Sequence, residues 1–149
     1  MEKIYLITGA TSDVGFELIS TLKSDDVKFL LQGFGDFEKL KTFCADNGIG
    51  FIAFSPLAQG LLTDRYLKGI PQDSRMSKGK FLREEMLTPE LLATLQYYNE
   101  VAQDRNETLA EMALAWILHQ RGVTSVLVGA SSTAQLEKNL HCVKVSPPE

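Results

Sequence analysis

The residues with the clearest chemical promise lie near the start of the chain. Thr8-Gly9-Ala10-Thr11-Ser12-Asp13-Val14-Gly15 joins an apolar run, Lys3 to Thr8, to a segment carrying Val14, Leu18, Ile19 and Leu22 at helical spacing. A glycine directly after a strand permits a tight turn. A second glycine where a helix begins lets backbone and phosphate approach, and the unpaired N–H groups of the first helical turn then face the anion. Thr8, Gly9, Ser12 and Gly15 are therefore candidate phosphate-binding positions, with Asp13 placing a negative charge beside them. Other reactive side chains are sparse. His119 and His141 have no neighbour at metal-ligand spacing, and Cys44 and Cys142 form neither a disulfide framework nor a metal pair, so no metal site is expected. Cys44 falls on an apolar helical face, where packing is the expected role.

The elements that must position such residues follow from hydrophobic patterning. Strands are expected at Lys3 to Thr8, Val27 to Gln32, Gly50 to Phe54 and Thr124 to Val128. Helices are expected over 12 to 24, after Asp36 through Cys44, from Thr88-Pro89 along Leu91, Leu92, Leu95, Tyr98, Val101 and Ala102, from Thr108 to about Arg121-Gly122, and from Ser132 through Leu140. Thr108 with Glu111, and Ser132 with Gln135, fit capping boxes. Residues 57 to 87 read as a long functional loop with a short helical turn near Leu61 to Tyr66. Trp116, Met112 and Ile117 are expected in the core, and the tail from Val145 is expected to fray. Strands alternating with helices imply an α/β fold with a parallel sheet.

The chain has 149 residues, 44% hydrophobic and 23% charged, with a net charge of −4. One α/β domain over residues 1–149 is the expectation. The acidic balance argues against a nucleic-acid surface, and no apolar run approaches a membrane span. A reducing cytoplasmic setting and a monomer are expected, with a homodimer as the alternative.

Two resemblances refine this picture. The Thr8 to Gly15 turn resembles that of short-chain dehydrogenases, over about residues 1–46, but no Tyr-x-x-x-Lys pair accompanies it. From about Asn47 to Val143 the chain resembles the last two β/α units of aldo-keto reductases, in the branch of the potassium-channel β-subunits. Gly48-Ile49-Gly50-Phe51-Ile52-Ala53-Phe54-Ser55-Pro56-Leu57-Ala58-Gln59-Gly60, Met112-Ala113-Leu114-Ala115-Trp116 and Val128-Gly129-Ala130-Ser131-Ser132-Thr133-Ala134-Gln135-Leu136-Glu137-Lys138-Asn139 carry that likeness. It implies that Ser55, Leu57, Gln59 and Gly60 line a pyrophosphate. Arg65 and Arg75 would flank NADP phosphates, and Ser131, Gln135 and Asn139 would hold the adenosine and 2′-phosphate end. Lys138 stands where several relatives have glutamate.

The catalytic tyrosine, lysine, histidine and aspartate of aldo-keto reductases belong to earlier strands of that barrel. The sequence-based expectation is therefore an engineered chimera of two oxidoreductase fragments with no catalytic residues, not an enzyme, binding NADP(H) weakly or not at all. The alternative is an NADP(H)-binding module or a truncated aldo-keto reductase. A four-stranded sheet of order 2-1-3-4, Rossmann-like with helices on both faces, is favoured over a half-barrel that dimerises.

Overall fold

The structure is a computed structural model and describes residues 3–8, 27–32, 37–74, 76–78 and 82–148. The expected helix over 12 to 24 lies outside them, as do Gly9, Ser12, Gly15 and Arg75. The described residues group into two compact units. One falls within Met1–Ile52 and Gln120–Ser125, the other within Ala53–His119 and Val126–Glu149.

In the first unit, β1 (Lys3–Thr8) and β2 (Val27–Gln32) pair in parallel, in register from Lys3 opposite Val27 to Thr8 opposite Gln32. Helix α1 (Phe37–Asp46) follows and buries Leu40 and Cys44, one turn apart. Gly48 ends it with φ +66°, the left-handed conformation that suits glycine after a helix, and Ile49 N–H returns to the Cys44 carbonyl at 2.8 Å. The stretch over residues 120–122 packs closely on α1. Gly122 has φ +88°, and a Cβ there would lie 2.6 Å from the Lys41 carbonyl oxygen. Lys41 Nζ contacts Glu38 at 2.7 Å and Gln120 at 3.5 Å, while Arg121 pairs with Asp46 at 3.0 Å.

Strands β3 (Phe51–Phe54) and β4 (Val123–Leu127) form a second two-stranded sheet. Among the described residues the pairs are thus β1–β2 and β3–β4, and the expected order 2-1-3-4 is not formed. Pairing partners are set by non-local contacts that hydrophobic runs do not specify. Along β3, half-buried Phe51 and Ala53 alternate with exposed Ile52 and Phe54, as a period of two requires.

The second unit holds α2 (Pro89–Asp104), α3 (Leu109–Leu118) and α4 (Thr133–His141). Thr88 Oγ1 caps α2 by accepting from Leu91 N–H at 3.2 Å, with Pro89 at the first helical position. Ala102, Leu109 and Met112 form a core cluster joined by Val101. Trp116 continues that stripe but stays 48% exposed, which corrects its expected burial; the cluster ends one turn earlier, at Met112. The tail is not frayed where expected. Val145 is buried, and the Arg105 guanidinium donates to the Ser146 carbonyl at 2.6 Å.

The long loop has structure of its own. Short 3-10 turns at Ala58–Gly60, Asp64–Tyr66 and Glu84–Met86 punctuate it. Tyr66, Met76 and Leu82 bury together, with Leu61, Ile70 and Leu87 packed around them.

Candidate functional site

A cavity of about 1020 Å³ lies within the second unit. Its walls come from the turn after β3, the 3-10 turn at Asp64–Tyr66, the start of α3, the segment after β4 and the inner side of α4. Ser55, Leu57, Gln59, Gly60, Arg65, Ser131, Gln135 and Asn139 all line it. Thr8 closes β1, in the other unit.

The turn after β3 is held in an uncommon conformation. Ser55, Ala58 and Gln59 have φ of 54°, 46° and 60°, and Gly60 has 102°. A non-glycine residue in the left-handed region costs on the order of 1–2 kcal/mol and persists where its surroundings fix it. Here the fixing is done by short-range bonds. Ala58 N–H donates to the Ser55 carbonyl, Gly60 N–H and Leu62 N–H to the Leu57 carbonyl, and Thr63 Oγ1 to the Gly60 carbonyl at 2.6 Å. Thr63 Oγ1 also accepts from Arg65 N–H, capping the turn that carries Arg65. The Arg65 guanidinium lies 3.4 Å from Asp73, with both side chains solvent-exposed.

On the opposite wall, Ser132 caps α4 by accepting from Gln135 N–H at 3.2 Å. The reciprocal half of the expected capping box goes elsewhere. Gln135 Oε1 accepts from Ser131 N–H at 2.7 Å and from Ser131 Oγ at 2.9 Å. Ser131 and Gln135 are therefore locked to each other, leaving the Gln135 amide nitrogen as the group to offer. Asn139 is 5% exposed, and among the described residues its Nδ2 has no hydrogen-bond partner. The buried Tyr66 hydroxyl likewise has no partner among the described residues. Such atoms are costly unless a further group satisfies them, so an unpaired donor on a cavity wall points to a missing acceptor.

Thr108 and Ala110 at the start of α3 complete the cavity. The capping box is formed in full there: Thr108 Oγ1 accepts from Glu111 N–H, and Glu111 Oε2 accepts from Thr108 N–H and Oγ1. Burial pushes the Glu111 carboxyl upward, but the Thr108 hydrogen bonds and the His141 ring outweigh it and hold the acid below its ordinary value.

Thr63, Asp64, Tyr66, Thr108 and Lys138 also line the cavity and were not among the expected binding residues. In sequence, Thr108 reads as a capping residue and Tyr66 only as the end of a short helical turn. Only the fold brings them to the same hollow.

Residues 35–148 match the Aldo/keto reductase family. The chain belongs to the aldo/keto reductase family. It is 49% identical over 118 residues to L-glyceraldehyde 3-phosphate reductase of Escherichia coli (strains K12 and O157:H7), covering 76% of this chain and 34% of the relative. It is 37% identical over 105 residues to a probable voltage-gated potassium channel subunit beta of Arabidopsis thaliana, covering 68% of this chain and 32% of that protein. The chain thus spans about a third of the length of these curated relatives.

These findings overturn two expectations. The aldo/keto reductase match begins at residue 35, so it takes in α1 and runs unbroken through residues 46–50, where a junction between engineered fragments was expected. The packing agrees, because α1 is tied to the segment before β4 by the Gly122–Lys41 approach and the Arg121–Asp46 pair. Reading the chain as an engineered chimera is therefore incorrect. So is its exclusion from enzymes, since the aldo/keto reductase relative of highest identity given above is itself named a reductase. Family membership also implies part of a β/α barrel in place of a Rossmann sheet.

Proposed function

We propose that this chain supplies the cofactor-holding portion of an NADP(H)-dependent aldo/keto reductase. One observation carries the reading. Eight residues that the family resemblance assigns to the dinucleotide line one cavity, and the buried Asn139 Nδ2 among them lacks an acceptor.

The residues suit such a ligand. The Ser55 to Gly60 turn would border the pyrophosphate through its backbone, which its left-handed conformations already fix. Arg65 is a planar donor for phosphate and needs only to leave an exposed partner, a pair of small worth. The Gln135 amide nitrogen and Asn139 Nδ2 would hydrogen-bond acceptors of the adenosine end. When bound, the nicotinamide supplies hydride to a carbonyl carbon. The substrate class we infer is a short phosphorylated aldehyde, the kind named for the Escherichia coli relative.

Titration with NADPH, read by its fluorescence and by thermal melting, tests this. Saturable binding with a rise in melting temperature is expected, because a ligand that binds only the folded state stabilises it. Absence of both at millimolar NADPH would refute the proposal.

A further inference from the structure

Helix α4 has a face that the cavity does not use. Its cavity side carries Gln135, Lys138 and Asn139. Leu136, Leu140 and Val143 follow one another at spacings of four and three, so they form a stripe on the adjoining face. The stripe runs past the helix end intact, because His141 and Cys142 keep right-handed helical dihedrals into the 3-10 turn Cys142–Lys144. The three side chains are 41, 55 and 67% exposed. Apolar residues at this alternation of four and three are the seam of a helix pair, and here the second helix is not supplied by the described residues. Glu137 and Lys144 flank the stripe on the side away from the cavity, one heptad apart and so nearly in line along the helix. Both are exposed, and neither has an ion-pair partner among the described residues.

We propose that this face of α4 docks a second copy of the chain, α4 on α4, antiparallel about a two-fold axis. The order of the charges decides the occupant. With Leu140 of each copy against Val143 of the other, Glu137 of one copy stands beside Lys144 of the other, on both sides of the axis. Sliding by one heptad, so that Leu136 meets Leu140, sets Glu137 against Glu137, and like charges oppose that register. A parallel pair would set Glu137 and Lys144 beside Ser132 and Asn139, which are neutral. The face is thus complementary to itself in one orientation and one register. Apolar contact drives the pairing and the flanking charges select its geometry. Three apolar side chains per copy make a seam below the roughly 1,200 Å² of a stable interface, so the dimer is weak and reversible, with a dissociation constant on the order of 100 μM.

Sedimentation velocity of the full chain, from about 10 μM to about 1 mM, tests this. The wild type should pass from monomer to dimer across that range. Leu140→Lys should stay monomeric while melting as the wild type does, since the side chain it replaces is exposed. Glu137→Lys should weaken the dimer about tenfold or more, and Glu137→Lys combined with Lys144→Glu should restore it. Restoration separates a registered helix pair from simple apolar adhesion, which no exchange of charges would direct. A wild type that stays monomeric throughout, or that grows into larger aggregates, would overturn the proposal. So would a dimer that survives Leu140→Lys, or one that the double exchange fails to restore.

Discussion

His141 Nδ1 lies 2.9 Å from Glu111 Oε1, while the other oxygen of that carboxylate accepts from Thr108 N–H and Oγ1, each at 2.7 Å. One carboxylate thus joins the cap of α3 to the last turn of α4. Thr108 and Ala110 on one side, and Gln135, Lys138 and Asn139 on the other, line the cavity. The Glu111–His141 contact therefore braces two of its walls.

The brace is sensitive to acid. The folded Glu111 carboxyl titrates below its unfolded value, which is about 4.3. Its contribution is thus present above that value and fades as pH falls through the lower folded one. Glu111→Gln should cost about 1 kcal/mol at neutral pH. Urea melts of the two proteins from roughly pH 6 down to pH 3 should show that gap shrinking. A constant gap would contradict the assignment.

Asn139 offers a separation of stability from binding. Replacing a buried donor that has no partner with an apolar group of similar volume relieves a cost of about 1 kcal/mol or more. Asn139→Leu should therefore melt no lower than the wild type while losing affinity for NADPH. A lower melting temperature would mean that the amide is satisfied in the folded chain.

Gly122 is the position least tolerant of a side chain. Its φ of +88° disfavours any Cβ, and a Cβ would meet the Lys41 carbonyl at 2.6 Å. Gly122→Ala should destabilise by about 2 kcal/mol or more, measured by denaturant unfolding. Gly48→Ala has the backbone cost alone, with nothing within 4 Å of the added carbon, and should cost less.

Cys44 is fully buried, and burial pushes its thiol pKa up. The thiolate is the reactive form, so modification by a disulfide reagent at neutral pH should be slow in the folded chain and rapid in denaturant. Fast labelling without denaturant would show that α1 opens readily.

What the sequence revealed, and what it hid, follows the range of the interactions. Thr88-Pro89 and Thr108 with Glu111 were legible as helix starts because a cap is made by residues three apart. Ser132 was legible as a cap too, but its box was misread by one residue, since Gln135 closes on Ser131. Strand segments were found within a residue or so, yet their partners were not, because pairing is decided far along the chain. Trp116 has a core-like place in the helical stripe, and periodicity alone could not show where the covering cluster stops. Of the candidate site, the lining residues Ser55, Leu57, Gln59, Gly60, Arg65, Ser131, Gln135 and Asn139 came from a family likeness, whereas the places of Tyr66 and Thr108 on the wall needed the cavity. The likeness also misled where it met the Thr8 to Gly15 turn, by suggesting a seam that the match from residue 35 removes.

The small core of Tyr66, Met76 and Leu82 gives the loop beside the cavity a property that its irregular sequence does not suggest. A segment held by scattered surface bonds would loosen residue by residue. One pinned by a shared apolar cluster opens in a single cooperative step. Amides such as those of Leu62 and Ser74, whose carbonyl partners lie within this segment, should then exchange with solvent at a common protection level. Tyr66 belongs both to that cluster and to the cavity wall. Filling the cavity would accordingly slow the opening of the whole segment, and hydrogen exchange would register a ligand well away from the atoms it touches.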